Sequence, residues 1–368
     1  MNRYKFSIAT ENEEVELRQM LRDNPVSSRI SISFEREPNF FYAASVGNKF
    51  RQVLVCKDSK EGRIIGIGMR SIFDAYVNGA PISCGYLSSL RINPTYRRQT
   101  ILSRGYNFIH DLHHDGKARI YLTTIISDNV YAKHILTGRR AGLPSYEEYG
   151  SYYSYIIPLK RSRHTQGSIK VIKAKGTDMQ DVVDCLQRNG KQKQFYPVYS
   201  QETFESNNGF LRDFHFGDFF LAFKDNRLIG VMGMWDQLAY KQFIIKGYSP
   251  LFTKVRPFYN RIAEFLRFPK IPDIGKNLAI CYAFAIAIDS NDAEVFEQLL
   301  TAVYNESGKK QYDYLAIGLH SRDPFCKVAR SMRHFLYKSN LYVVHWEDGM
   351  KEFGALNNRV PYLEIATL

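Results

Sequence analysis

The stretch Leu90-Arg91-Ile92-Asn93-Pro94-Thr95-Tyr96-Arg97-Arg98-Gln99-Thr100-Ile101-Leu102-Ser103-Arg104-Gly105 decides the reading of this chain. An apolar strand stops at Pro94, whose ring fixes φ and removes a backbone donor. A turn then carries Arg97 and Arg98, and a helix follows at once. The first turn of a helix presents N–H groups without intrahelical acceptors, and the dipole puts its positive end there. A basic strand-to-helix turn therefore suits a phosphate. The turn holds no glycine, so side chains stand where a phosphate would approach the backbone. Solvated arginines in an ordinary turn would show the same residues, and the rest of the chain has to decide.

With 368 residues the chain is too long for one ordinary core, and two domains are expected. Hydrophobic residues at 45% with 24% charged residues describe a globular chain, not a disordered one. The 25 Tyr and 25 Phe favour extensive sheet. A net charge of +13 favours an anionic partner: a nucleotide-bearing cofactor, tRNA or an acidic membrane surface. The basic residues are spread along the chain, however, which makes a nucleic-acid footprint unlike them. Cys56, Cys84, Cys185, Cys281 and Cys326 form no CxxC pair, which speaks against disulfides and zinc and for a reducing compartment. The first residues show no apolar signal core, and the longest apolar run, Leu278 to Ile288, is well short of the ~20 residues a spanning helix needs. A cytoplasmic protein without a membrane span or a metal site is expected.

The chain repeats itself weakly about 164 residues on. Leu54-Val55-Cys56-Lys57-Asp58 and Arg63-Ile64-Ile65-Gly66-Ile67-Gly68 recur as Leu221-Ala222-Phe223-Lys224-Asp225 and Arg227-Leu228-Ile229-Gly230-Val231-Met232-Gly233. Each copy reads as an antiparallel hairpin. Upstream, helices ending at Asn24 and Asn189 match. Downstream, each copy predicts strand, helix, strand, helix: 86–93, 99–113, 119–126 and 129–137, then 278–289, 293–306, 312–319 and 324–332. The second copy adds a segment from Ala239 to Gly275 with a strand and a helix near 259–266. The expected fold is α/β, a mixed sheet flanked by helices in two tandem units, 1–163 and 168–368, packed side by side.

In that order the opening stretch resembles the cofactor motif of the GNAT superfamily of acyl-CoA-dependent N-acyltransferases. Pro94, Tyr96 and Arg97 match its lead-in and Arg98 to Leu102 its loop. Asn129-Val130-Tyr131-Ala132-Lys133-His134-Ile135-Leu136, then Gly142-Leu143, resemble the family's Asn-x-x-Ala-x-x-Leu element about 30 residues later. The resemblance implies acetyl-CoA or another acyl-CoA held by Arg91, Ile92, Arg97, Arg98, Gln99, Thr100, Ile101, Leu102, Asn129 and Ala132. It also implies a carbonyl-polarising backbone amide near Arg91–Ile92. Where the family has small residues this chain has Thr100 and Leu102, the latter a candidate to fill the pyrophosphate slot. The second copy has Asp289-Ser290-Asn291-Asp292-Ala293-Glu294, whose carboxylates repel an anion, so only the first unit is expected to bind it.

Catalytic candidates follow from what amide formation needs: a proton acceptor for the amine and a proton donor for the thiolate. They are Glu35 and Glu37 in the region that walls the family's acceptor site, and Tyr131 and His134 on the second motif. The family's usual tyrosine acid is replaced by Thr137. His110, His113 and His114 suit a helix C-terminus, and Cys84 reads as core. Some tandem members use a terminal carboxylate as base, which marks the apolar stretch Val360 to Leu368. The expected activity is N-acyl transfer, as an acetyltransferase, to a small-molecule or peptide primary amine in a cleft between the units. The alternatives are a non-catalytic binding protein on the same scaffold and a Fem-like aminoacyltransferase using charged tRNA.

Overall fold

The computed structural model describes residues 3–25, 30–97, 100–138, 142–160, 162–164, 167, 169–206, 208–265 and 270–368. The first half runs β1 (Tyr4–Ile8), α1 (Glu14–Asp23), β2 (Ile30–Glu35), α2 (Phe40–Ala44), β3 (Phe50–Asp58), β4 (Arg63–Val77), β5 (Ala80–Ile92), α3 (Ile101–His113), β6 (Ile120–Ile126), α4 (Val130–Leu136) and β7 (Ser145–Pro158). The second opens with β8 (Lys170–Lys173), α5 (Met179–Gly190), the two-residue strands β9 (Lys193–Gln194) and β10 (Tyr196–Pro197), and α6 (Gln201–Glu205). It continues with β11 (Phe219–Lys224), β12 (Arg227–Asp236), β13 (Gln242–Tyr248), α7 (Pro250–Phe265), β14 (Ile280–Ile288), α8 (Ala293–Lys309), β15 (Tyr314–His320), α9 (Cys326–Ser331), β16 (Phe335–His345), α10 (Met350–Gly354) and β17 (Val360–Pro361).

The hairpins expected in both copies are β3–β4 and β11–β12, and each is followed by strand, helix, strand, helix. Helical spacing of apolar residues explains the helices. Leu17, Met20 and Leu21 of α1, Val182, Cys185 and Leu186 of α5, and Val295, Leu299 and Val303 of α8 are all buried against the sheet. In the inserted segment the helix starts at Pro250, earlier than expected, and runs through Pro257. Proline costs a helix one hydrogen bond and normally marks its end.

The mixed sheets of the two expected units are continuous with each other. Thirteen of the described strands share one sheet, in the order β1-β3-β4-β5-β6-β16-β7-β15-β14-β12-β11-β8, with β10 beside β4. The final strands of the halves change places: β16 pairs with β6, and β7 pairs with β15. Between them β7 and β16 form a long antiparallel ladder from Ser145↔His345 to Ile156↔Phe335. A second junction is a ribbon of β2 and β13, one strand from each half, paired from Ile30↔Tyr248 to Glu35↔Gln242. The segment from Val360 onward is buried between the halves through Tyr362, Leu363, Glu364, Ile365 and Ala366.

Candidate functional site

Two places in the sheet break its regularity in the same way. The parallel strands β5 and β6 pair only at Gly85↔Tyr121 and Tyr86↔Leu122. A Cβ on Gly85 would lie 1.9 Å from the Tyr121 ring, so glycine is what lets the two strands meet there. Beyond that point they part. On its other side β5 bulges: the pairs Met69↔Ser88 and Ile67↔Arg91 leave Ser89 and Leu90 opposite Gly68 alone, and Ser89 takes φ 57°. A bulge breaks the ladder and re-aims backbone groups. Leu90 is exposed, and the Ser88 hydroxyl is buried without a partner among the described residues.

In the second half β14 and β15 pair only from Ile280↔Tyr314 to Tyr282↔Ala316. β14 bulges at Ala285, φ 49°, between Gly233↔Phe284 and Val231↔Ala287. This second bulge is plugged by the chain itself. The Ala285 N–H donates to Glu364 Oε2 at 2.8 Å, and the Ile286 N–H donates to the Tyr362 hydroxyl at 3.2 Å. That hydroxyl donates in turn to Glu364 Oε2 at 2.7 Å. Burial pushes the Glu364 carboxyl up to about 7, against these hydrogen bonds and the nearby Lys241 charge. A cavity of about 420 Å³ beyond the plug is lined by Ile286, Asn291, Leu319 and the ion-paired Lys193 and Asp323. Among the described residues, no side chain takes the corresponding place at Ser89 and Leu90.

The helix starts beside the two bulges differ as well. In the second unit Asp292 caps α8, accepting from Glu294 N at 2.8 Å and Val295 N at 3.3 Å. Asp289 there holds Arg188 and Arg227 at 2.8 and 3.3 Å. In the first unit Thr100 at the start of α3 is exposed, and its side chain makes no cap. Ile101 is buried, and Leu102 packs into the core beside Tyr106 and Ile109 instead of standing over the helix start. Arg97 is exposed and donates to the Ile92 carbonyl at 3.3 Å. Arg104 is tied to β1, donating to the Tyr4 carbonyl at 2.6 Å with its guanidinium over Phe6. Arg98 and Gln99 lie outside the described residues. Ile92 packs beside Tyr96 and Ile101, and Arg91 donates to the Leu90 carbonyl at 2.9 Å. Asn129 caps α4 by accepting from Ala132 N at 3.1 Å, and Ala132 packs against the core. The bulge itself falls at Ser89–Leu90, two residues before the expected Arg91–Ile92.

The four catalytic candidates separate into two pairs. Glu35 is buried and pairs with Lys246 at 2.8 Å and Arg22 at 3.8 Å. Glu37 pairs with Arg18 and Arg22, so both carboxylates are committed to a network binding α1 to the β2–β13 ribbon. Tyr131 and His134 are exposed on α4. Among the histidines, His113 is buried, with Nδ1 at 2.8 Å from the Tyr121 hydroxyl and Nε2 at 3.0 Å from Asp348. Burial pushes the Cys84 thiol up to about 12, which makes it a poor nucleophile. Among the described residues no group of side chains could hold a metal ion, and no helix is long and apolar enough to cross a membrane.

Two features escaped the sequence reading. One is the plug at Glu364, signalled only by a single carboxylate in an apolar stretch. The other is Arg36, which alternation sets apart from its neighbours Glu35 and Glu37.

No family model matches the sequence, and neither does any curated protein. Solved structures do match. Saccharomyces cerevisiae N-myristoyltransferase with bound myristoyl-CoA aligns at a TM-score of 0.61 and 11% identity, over 94% of this chain and 83% of that one. A GCN5-related N-acetyltransferase from Anabaena variabilis aligns at 0.51 and 12%, over 93% and 72%. A glucosamine N-acetyltransferase region of a fungal multi-domain beta-N-acetylglucosaminidase aligns at 0.63 and 10%, over 93% and 38%. The chain has a GNAT fold in two tandem units. Within this GNAT fold the units are alike in bulge and splay and unlike in what surrounds them. Among the described residues, no side chain caps the first unit's helix start or plugs its bulge, while the second unit has both places occupied by its own carboxylates.

Proposed function

We propose that this protein transfers an acyl group from acyl-CoA to a primary amine, and that only the first unit, residues 1–163, does so. The observation that carries this is the unplugged bulge at Ser89–Leu90 in the splay of β5 and β6, next to the uncapped basic start of α3. Phosphates of the donor suit that helix start, with Arg97 and Arg98 beside it. The thioester arm then runs along the parted edge of β5, where backbone amides at the bulge polarise the carbonyl. The amine nitrogen bonds to the acyl carbon, the C–S bond breaks, and the nitrogen's proton ends on the CoA thiol. The second unit, 168–368, carries no donor, because Glu364 and Asp292 hold the equivalent amides. It supplies one wall of the acceptor cleft through the segment from Tyr362 to Leu368. Five free, buried cysteines suit the cytoplasm.

Acetyl-CoA is the first donor to test, with myristoyl-CoA beside it because a myristoyl-CoA enzyme shares the fold. Calorimetric titration with both decides: saturable heat with either supports the reading, and none at millimolar ligand leaves a binding protein on a GNAT scaffold. The glycine-less turn favours that second reading. A salt series with bulk tRNA tests the aminoacyl-tRNA alternative, since phosphate contacts give a steep salt slope.

A further inference from the structure

Arg36 makes no side-chain hydrogen bond and no ion pair among the described residues, and no residue outside the description is an acid. Its neighbours Glu35 and Glu37 turn to Arg18, Arg22 and Lys246, so the intervening side chain is left on the other side of the ribbon. One step past the last ladder pair, Glu35↔Gln242, stands Lys241. Lys241 is buried and gives its ammonium only to the Ala366 and Leu368 carbonyl oxygens, at 3.3 and 2.7 Å. It lies 4.7 Å from the centre of the Tyr282 ring. The Tyr282 hydroxyl is buried and has no hydrogen-bond partner among the described residues.

The titratable groups acting on Arg36 are Tyr282, Arg91 and Tyr240, and none of them is a carboxylate. Burial lowers the tendency of both Arg36 and Lys241 to hold charge, and each is further disfavoured by a neighbouring cation, while the Glu364 carboxylate favours the charge on Lys241. Arg36 has no carboxylate beside it, and burying a cation without a counter-ion is costly, as is burying a hydroxyl without a partner. A protein keeps such a set when a ligand completes it. Arg91 connects the set to the bulge: it follows Leu90 directly.

We propose that Arg36, Lys241 and the Tyr282 hydroxyl form an anion subsite, so that the acceptor is an amine carrying a carboxylate or phosphate group. This rests on the acyl-transfer reading. The anionic end binds the fork of Arg36 and accepts from Tyr282, and the amine points along Arg91 to the bulge at Ser89–Leu90. An unmodified polyamine is then a poor acceptor, because its charge is repelled by Arg36 and Lys241.

The test is titration of the full chain, without any donor, with phosphoethanolamine, β-alanine, ethanolamine and spermidine, on the natural protein, Arg36→Gln and Tyr282→Phe. Acyl-CoA is titrated separately. One or both anionic amines should bind, and which one does distinguishes phosphate from carboxylate. Arg36→Gln should weaken that binding at least about tenfold and Tyr282→Phe several-fold. Ethanolamine and spermidine should bind no better than Arg36→Gln binds the anionic amines. Arg36→Gln removes no bond of the fold, so it should melt with the natural protein. The proposal is overturned if neither anionic amine binds, if the variants bind as well as the natural protein, or if spermidine binds equally. It is also overturned if Arg36→Gln weakens acyl-CoA itself, since Arg36 would then serve the donor. Failure of acyl-CoA to bind the natural protein strikes the transferase reading instead.

Discussion

Replacing Glu364 by glutamine should change how the stability of this protein depends on pH. The carboxyl is wholly enclosed and titrates near 7, against 4.5 for an ordinary glutamate. Between those values the folded chain keeps a proton that the unfolded chain releases. The folded state then binds more protons than the unfolded one, so stability falls as pH rises through this window. Below it both states are protonated, and above it both are ionised and the loss is complete. At about 1.4 kcal/mol per pH unit the loss amounts to about 3 kcal/mol. Glutamine has nearly the same shape, keeps an oxygen for the Ala285 N–H, and has no proton to lose. Urea midpoints at about pH 5, 6, 7 and 8 therefore give the answer as a difference between the two proteins. Other groups, such as His320, which is lowered to about 4 by burial, contribute equally to both and drop out. The natural protein should lose ground to Glu364→Gln as pH rises toward neutrality. Midpoints that run parallel across the range would refute the enclosed carboxylate.

At the first bulge, Ser89→Gly should preserve turnover, whereas Ser89→Val puts a branched side chain at φ 57°. That strain of ~1–2 kcal/mol predicts roughly tenfold slower acyl transfer, read as thiol release. Equal rates in the two variants would remove the bulge from the mechanism. At the donor seat, Thr100→Gly should tighten acyl-CoA binding a few-fold. Leu102→Gly should instead lower the melting temperature, because that side chain packs into the core and glycine costs a helix about 1 kcal/mol. Tighter binding in Leu102→Gly without lost stability would contradict this placement. Tyr131→Phe and His134→Gln should keep turnover within about twofold, as expected of exposed side chains. A fall of an order of magnitude in either would put that group at the reacting atoms.

The element order was legible because each element carries its own period: alternating residues in the hairpins, and Leu17 with Leu21 or Val182 with Leu186 on the helices. Leu102 could also have been read correctly. It stands four and seven residues before Tyr106 and Ile109, a core-facing stripe, and not over the helix start. The exchange of β7 and β16 was not legible. A strand's alternation records which face is buried and says nothing of which neighbour it pairs with. Glu35 and Glu37 drew attention as carboxylates near a cleft, but Arg18, Arg22 and Lys246 come from distant positions and only the folded chain brings them together. The plug is the extreme case: Glu364 lies 79 residues from the amide it binds.

The exchanged strands have a consequence for assembly as well as for architecture. β6 and β15 each have one edge covered only by the other half's last strand. A half produced alone would bare a long unpaired edge, the kind of surface that recruits a second copy. Yet the exchange also means that non-covalent pairing, more than the peptide link between β7 and β8, unites the halves. Two fragments cut there and made together have every reason to rejoin into the same sheet. A unit held in this way stays part of the sheet whatever its own chemistry.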